Sequence, residues 1–152
     1  MYQKILVPLD GSELAECALE HLRTIVKGCH VPEVVLLNVA SAGIYIGGDA
    51  DIGFFPDAGM MNRLKENYHA WANSYLNKIT QELQQDGITA KGVLLEGYVA
   101  DQIMDYAQKN GVDLIIMSTH GRSGPARWAM GSVADRVMRH STVPVLVVSP
   151  HG

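Results

Sequence analysis

Short apolar runs rich in β-branched residues divide the chain into regular intervals. Four are clear and a fifth is less regular, and in order they are KILVPL (Lys4–Leu9), EVVLLNV (Glu33–Val39), ITAKGVLLE (Ile88–Glu96), LIIMS (Leu114–Ser118) and VPVLVV (Val143–Val148). Most of these runs are continuous rather than alternating. Continuous runs are typical of strands that are covered on both faces, as in parallel sheets. The pattern therefore predicts five strands of a parallel sheet.

Apolar residues at helical spacing fill the intervals between these runs. Ser12 is a suitable N-cap for the first helix, and glycine or asparagine-glycine marks the expected helix ends. Trp71 and the tyrosines of the longest helix fall on its apolar stripe, so we expect them in the core. The expected helices run from Ser12 to Gly28, from near Met60 to Gly87, from Ala100 to Asn110-Gly111, and onward from Ser132.

The alternation of strand and helix predicts the fold class. Short connections between alternating elements are typical of an α/β protein, here a doubly wound, five-stranded parallel sheet with helices on both faces. We expect one domain over residues 1–152. One connection, Ala40–Gly59, is long and carries five glycines. A loop of this length in a compact domain is usually a lid, a binding loop or a mobile segment, so we expect it to be a flexible loop.

Composition and charge narrow the range of partners. The 152 residues are 47% hydrophobic and 18% charged, with a formal net charge of −4. This acidic balance argues against nucleic acid or an anionic membrane surface as the main partner. No apolar stretch approaches the roughly 20 residues of a membrane span, and Pro8 interrupts the N-terminal run too early for a signal peptide. Cys17 and Cys29 are expected to be unrelated thiols, with a disulfide as the alternative. We predict a cytoplasmic protein.

Small and polar residues concentrate after the fourth run, in MSTHGRSGPARWAMGSVADRV. Ligands of open parallel sheets bind beyond the carboxyl ends of the strands, near the switch in strand order. Glycine allows close backbone approach, and the helix expected to begin at Ser132 offers oriented N–H groups. Phosphate is the ligand that suits these features best. Neither GxxxxGK[ST] nor a GxGxxG after the first strand occurs, so the P-loop and the GxGxxG dinucleotide site are excluded.

The spacing Gly121-x9-Gly131-Ser132, with the N-terminal ILVPLDGS and the C-terminal VPVLVV, resembles the universal stress protein family over nearly the whole chain. The family pattern is G-x2-G-x9-G-[ST], and its first glycine is Ser118 here. The resemblance implies a flavodoxin-like sheet of the adenine-nucleotide α-hydrolase type. In nucleotide-binding members it also implies ATP at the strand ends. AMP or ADP are the alternatives, and Mg²⁺ would arrive only with the nucleotide.

The resemblance also implies a role for individual residues. Asp10 would accept hydrogen bonds from the ribose hydroxyls. The residues implied to line the adenine pocket are Pro8, Leu9 and Val39. Those implied to flank the ribose and phosphates are Met117, Ser118 and His120. Those implied to bind phosphate, largely through backbone N–H groups, are Gly121, Gly131, Ser132 and Val133. Arg122 and Arg127 lie in the glycine loop, where they either neutralise phosphates or are solvated charges.

Several of these residues have a second interpretation. Asp10 also suits an N-cap or Asx-turn ahead of the first helix. Ser118 would strain the backbone by about 1 kcal/mol if the site required a positive φ there, and would cost little if only close approach were needed. A hydrolytic triad of Asp10, His120 and Ser132 lacks the GxSxG elbow. We therefore expect no catalytic residue and at most slow ATP hydrolysis. The histidines show no paired ligand spacing, so no protein metal site is expected.

The last run, Val143–Val148, is expected at a sheet edge. A long apolar edge invites pairing with another chain, and the resemblance implies antiparallel pairing with a second copy; the alternative is an edge covered by the protein's own tail. We predict a homodimer through this strand. The predicted function is an ATP-binding universal stress protein that acts as a nucleotide-dependent sensor or switch in the stress response. The alternative is a nucleotide-free homodimeric interaction protein with the same fold.

Overall fold

The computed structural model describes residues 1–41, 56–120 and 130–150. Its centre is a five-stranded sheet in the order β3-β2-β1-β4-β5. Every neighbouring pair of strands is parallel, which confirms the predicted fold class. The strands are β1 (Lys4–Pro8), β2 (Glu33–Ala40), β3 (Ala90–Glu96), β4 (Leu114–Ser118) and β5 (Val145–Val148). The last strand is at an edge of the sheet, as expected.

Helices cover both faces of this sheet. They are α1 (Glu13–Glu16), α2 (Ala18–Cys29), α3 (Ala58–Gln85), α4 (Val99–Lys109) and α5 (Ser132–His140). Buried residues of α1, α2 and α3 share one apolar cluster with Ile5 and Val7 of β1. Buried residues of α4 and α5 share the other cluster with Leu6. Alternate residues of β1 therefore enter opposite cores, which explains why the strand reads as a continuous apolar run.

The end of α2 differs from the sequence prediction. The helix continues through Gly28 to Cys29, and His30 is the left-handed cap residue, with φ at 53°. The N–H of Val31 donates to the carbonyl of Val26 at 3.3 Å, which closes the helix end in the manner of a Schellman motif. Val31 is buried. The helix therefore ends where Val31 must enter the core, and its cap residue is His30 rather than the predicted Gly28.

The long connection is shorter than predicted at both ends. Ala40 belongs to β2, and Ala58 and Gly59 already belong to α3, where the side chain of Asp57 accepts from the N–H of Met60 as an N-cap. The remainder of the predicted loop, residues 42–55, lies outside the described residues.

Trp71 is not a core residue, contrary to expectation, because 40% of its surface is exposed. The buried stripe of α3 consists of Ala72, Leu76, Ile79 and Leu83. Successive helical residues differ by about 100° in direction. Trp71 therefore points to one side of this stripe, where its ring lies over Gly11 in the turn after β1.

The two cysteines lie at opposite ends of α2. Cys17 caps its N-terminus and Cys29 is its last residue. Twelve residues of helix separate them by about 18 Å along the axis, whereas a disulfide requires Cα atoms within roughly 7 Å. Both are free thiols, and a disulfide between them is excluded.

Among the described residues no helix is both long enough and apolar enough to cross a bilayer.

The switch in strand order lies between β1 and β4, because the chain leaves β3 at one edge and re-enters the sheet beside β1. The carboxyl ends of these two strands are therefore where a ligand would be expected.

Candidate functional site

A cavity of about 280 Å³ opens at the carboxyl ends of β1 and β4. Every predicted site residue that the structure describes lines this cavity. These are Pro8, Leu9, Asp10, Val39, Met117, Ser118, His120, Gly131, Ser132 and Val133. The other predicted site residues, Gly121 and Arg122, lie outside the described residues, as does Arg127.

Six further residues line the cavity and were missed by the sequence analysis. They are Ala15, Leu37, Val99, Ile103, Thr119 and Ala134. Two periodicities could have revealed part of this set. Leu37 and Val39 are alternate residues of one strand, and Val99 and Ile103 are four residues apart on one helix, so each pair shares a face. Nothing in the sequence shows that this strand face and this helix face pack against each other.

The turn after β1 holds Asp10 at the cavity wall. The Oδ1 atom of Asp10 accepts from the backbone N–H of Ser12 at 2.9 Å and from its hydroxyl at 2.6 Å. The Ser12 hydroxyl in turn accepts from the N–H of Ala15 at 3.1 Å, which caps α1. The Asx-turn interpretation of Asp10 is therefore confirmed. It does not compete with a ligand role, because a carboxylate has about four lone-pair positions and the turn fixes its orientation.

Ser118 occupies its position without backbone strain. It is the last residue of β4 and is buried. Among the described residues only His30 is a non-glycine residue with positive φ, so Ser118 does not need a glycine conformation. Its hydroxyl accepts from the N–H of His120 at 3.2 Å and closes the turn after the strand. The replacement of the family's first glycine therefore carries no strain.

Gly131 is required by close approach rather than by its φ angle, which is −59°. Its N–H donates to the carbonyl of Thr119 at 2.8 Å, and a Cβ on Gly131 would lie only 2.8 Å from the same oxygen. This contact places the N-terminus of α5 beside the end of β4. The side chain of a larger residue would push the two apart.

The first turn of α5 presents backbone donors to the cavity mouth. Gly131 is the N-cap and makes no side-chain cap hydrogen bond, and Ser132, Val133 and Ala134 all line the cavity. The first N–H groups of a helix have no intrahelical acceptor, and the helix dipole adds positive potential there. This end of the cavity is suited to an anion.

The opposite part of the cavity is apolar. Leu37, Val39 and Met117 are buried strand residues, and Val99 and Ile103 of α4 face them. A slot with apolar walls and a few polar groups at its rim is the usual form of a small-molecule site. The cavity therefore combines an apolar slot with an anion-binding end.

Polar side chains order the rim. The Thr119 hydroxyl and Nδ1 of His120 lie 2.9 Å apart.

On the far side of the sheet, burial raises the pKa of Tyr75 above its ordinary value, and the nearby carboxylates of Glu16 and Asp10 raise it further. Tyr75 is thus a neutral phenol at physiological pH. In the described part of the chain, no cluster of three histidine, cysteine, aspartate or glutamate side chains could hold a metal ion.

Asn38 is a buried polar residue that the sequence analysis overlooked. It is 1% exposed, and its Nδ2 donates to the carbonyl of Leu9 at 2.9 Å. This bond fixes the backbone of a residue that lines the cavity. The signal in the sequence was that Asn38 is the one polar residue within the apolar stretch Val34–Val39.

Comparison with known proteins gives a consistent result. The family model described as "Universal stress protein family" matches residues 1–149. Universal stress protein MJ0577 of Methanocaldococcus jannaschii is 34% identical to this chain, and the match covers 97% of this chain and 95% of the relative.

Solved structures agree. The structure of MJ0577 superposes with a TM-score of 0.84, at 34% identity, over 98% of this chain and 96% of the other, in the flavodoxin-like α/β fold. A universal stress protein in complex with cAMP has a TM-score of 0.66 at 20% identity, over 98% of both chains. A family protein from Arabidopsis thaliana with AMP bound has a TM-score of 0.66 at 14% identity, over 97% of this chain and 91% of the other. The chain belongs to the universal stress protein family.

Proposed function

We propose that the cavity binds an adenine nucleotide, with ATP as the principal ligand and AMP or ADP as alternatives. The protein would act as a homodimeric, nucleotide-dependent sensor or switch in the stress response. One observation carries the proposal: the ten predicted site residues that the structure describes line one cavity, which is apolar at one end and presents a helix N-terminus at the other. Structural relatives that hold cAMP or AMP support the class of ligand.

The apolar slot is suited to the adenine ring. Pro8, Leu9 and Val39 would contact one face, and Val99 and Ile103 lie across the slot. Burial of a flat aromatic ring between such side chains is favourable at roughly 25 cal/mol per Å² of apolar surface. The carboxylate of Asp10 would accept from the ribose hydroxyls at the rim.

The N-terminus of α5 is suited to the phosphates. The N–H groups of Ser132 and Val133, together with the Ser132 hydroxyl, would donate to phosphate oxygens. The fit depends on Gly131, since the space that a Cβ would fill is the space that lets α5 approach β4. Mg²⁺, when it accompanies the nucleotide, would neutralise phosphate charge. We propose at most slow hydrolysis, because the sequence lacks the GxSxG elbow that would present Ser132 as a nucleophile beside His120.

The dimer is proposed to form through the edge strand β5, within the predicted segment Val143–Val148. Among the described residues β5 pairs only with β4, and Leu146 is 36% exposed. Pairing with a second copy would satisfy the outer backbone groups and cover this side chain. A cytoplasmic location is part of the same proposal, and cell fractionation tests it.

Calorimetric titration with ATP·Mg²⁺ tests the site. We expect micromolar affinity for the wild type and a loss of roughly ten- to a hundredfold in Ser132→Ala, since a hydrogen bond to a charged group contributes about 1.5–3 kcal/mol. Ser74→Ala is the matched control, because Ser74 is exposed on α3. Asp10→Asn keeps an oxygen for the Ser12 turn, so its loss of affinity would report the ligand. An absence of heat up to millimolar ATP in the wild type would refute the proposal.

The nucleotide-free alternative depended on Ser118. Ser118 lacks the positive φ at which a serine would strain the backbone, and this supports nucleotide binding. The same titration decides between the two functions.

A further inference from the structure

Helix α3 is linked to the turn after β1 at two points, one through Asn38 of β2 and one by direct contact. At the first point, the hydroxyl of Tyr68 donates to Oδ1 of Asn38 at 2.8 Å, and Nδ2 of Asn38 donates to the carbonyl of Leu9 at 2.9 Å. Asn38 is almost completely buried. The buried amide of Asn38 therefore links α3 to a residue of the cavity wall by hydrogen bonds that are shielded from water.

At the second point, the indole of Trp71 lies on Gly11. A Cβ on Gly11 would overlap Cη2 of Trp71 and lie 2.8 Å from Cζ2, and Gly11 has a φ of +88°. The indole is stacked on Tyr75, with centroids 5.6 Å apart and planes 10° apart. It is tilted against Tyr68, at 5.5 Å and 51°. The aromatic side chains of α3 thus form one packed unit against the turn.

Leu9 and Asp10 lie between these two contacts, and both line the cavity. We propose that Tyr68 and Trp71 are positioning residues: they hold the Leu9–Asp10 wall in place, so that the packing of α3 and the occupancy of the cavity are linked. This inference rests on the proposed nucleotide function. Linkage is reciprocal, so nucleotide binding must alter the packing of α3 as much as that packing alters nucleotide affinity. Neither Tyr68 nor Trp71 lines the cavity itself.

A purely structural role would have a different consequence. If the aromatic unit only stabilised the fold, its perturbation would lower the free energy of unfolding and leave the affinity of the folded protein unchanged. If it positions the wall, affinity changes in the folded protein, and the indole reports occupancy. The two readouts are independent.

The first experiment compares Tyr68→Phe with Tyr75→Phe in the full chain. Both variants delete one hydroxyl from the same helix. The Tyr75 hydroxyl is buried near the carboxylate of Glu16 and makes no hydrogen bond to Asn38, whereas the Tyr68 hydroxyl does. We expect Tyr68→Phe to weaken ATP binding about fivefold or more by calorimetry, since it leaves a buried acceptor without this donor. Tyr75→Phe should retain wild-type affinity.

The second experiment leaves the aromatic unit intact. The chain has two tryptophans, so Trp128→Phe leaves Trp71 as the only one, and excitation at the red edge of the band, where tyrosine does not absorb, selects its emission. We expect ATP·Mg²⁺ to shift the emission of Trp71 with the same midpoint as the calorimetric titration, although the indole is outside the cavity. The shift should move to higher ATP concentration when Tyr68→Phe is added.

The outcomes separate this inference from the function on which it rests. Failure of the wild type to bind ATP overturns both. ATP binding with unchanged affinity in folded Tyr68→Phe and no change in Trp71 emission overturns the positioning role alone. If Tyr68→Phe does not fold, the emission of Trp71 in Trp128→Phe decides the question by itself.

Discussion

Replacement of Gly131 by alanine tests the phosphate end of the site most severely. The added Cβ would lie 2.8 Å from the carbonyl oxygen of Thr119, whereas ordinary contacts begin near 3.4 Å. That oxygen cannot move away easily, because the N–H of Thr119 donates to Val148 in the sheet at 2.9 Å. The N-terminus of α5 must therefore recede by several tenths of an ångström, which lengthens the hydrogen bond from Gly131 to Thr119.

The magnitude follows from these two effects. Overpacking of this kind costs about 1–3 kcal/mol, and a weakened backbone hydrogen bond adds up to about 1 kcal/mol. We expect Gly131→Ala to lower the free energy of unfolding by about 1–4 kcal/mol. Displacement of the helix N-terminus also removes phosphate contacts, so ATP affinity should fall more than tenfold.

Gly28→Ala is the control for this variant. Gly28 lies within α2, and a Cβ there would meet no atom within 4 Å. Alanine is the better helix former by up to about 1 kcal/mol. Chemical denaturation should show that Gly28→Ala is as stable as the wild type or more so, and calorimetry should show unchanged ATP affinity. Wild-type affinity in a folded Gly131→Ala would refute the assignment of this glycine to the phosphate end.

Two other predictions concern stability and assembly. The carboxylate of Asp113 accepts from the N–H groups of Gln3 at 2.5 Å and Lys4 at 2.9 Å, and these bonds hold the pKa of Asp113 below its ordinary value. The ionised Asp113 carboxylate therefore stabilises the folded state fully above the ordinary pKa of aspartate, and this stabilisation is lost as the pH falls through the lowered pKa. Asp113→Asn should make denaturant unfolding less sensitive to acid. An unchanged pH profile would contradict this. Leu146→Lys should convert a dimer to a monomer by light scattering, and a wild type that is already monomeric at micromolar concentration would refute the proposed edge.

The sequence was sufficient to predict the sheet, because strands covered on both faces must be apolar along their whole length. The ends of the helices were harder to predict from the sequence. Gly28 is a suitable stop by composition, but burial of Val31 sets the end of α2 and forces His30 into the left-handed region. Whether Trp71 is buried depends on which residues form the centre of the buried face of α3. The apolar stripe in the sequence does not determine that centre to within one residue.

The site was predictable to the extent that it follows strand ends and glycine spacing. The resemblance to the family supplied the roles, and those of the chosen residues that the structure describes line the cavity. The wall formed by Val99 and Ile103 depends on how α4 packs across the sheet, which no local pattern specifies. The bond between Tyr68 and Asn38 joins residues thirty positions apart and has no signature in the sequence.

Titration of the nitrogen-15-labelled protein with ATP·Mg²⁺, observed by NMR, tests the central claim most directly, because it locates the ligand as well as detecting it. The account predicts the largest amide shifts at Gly131 to Ala134, with further shifts at Leu9, Asp10 and Val39, all saturating at one affinity. Unchanged amide positions at millimolar ATP, or shifts confined to residues away from the cavity, would contradict it.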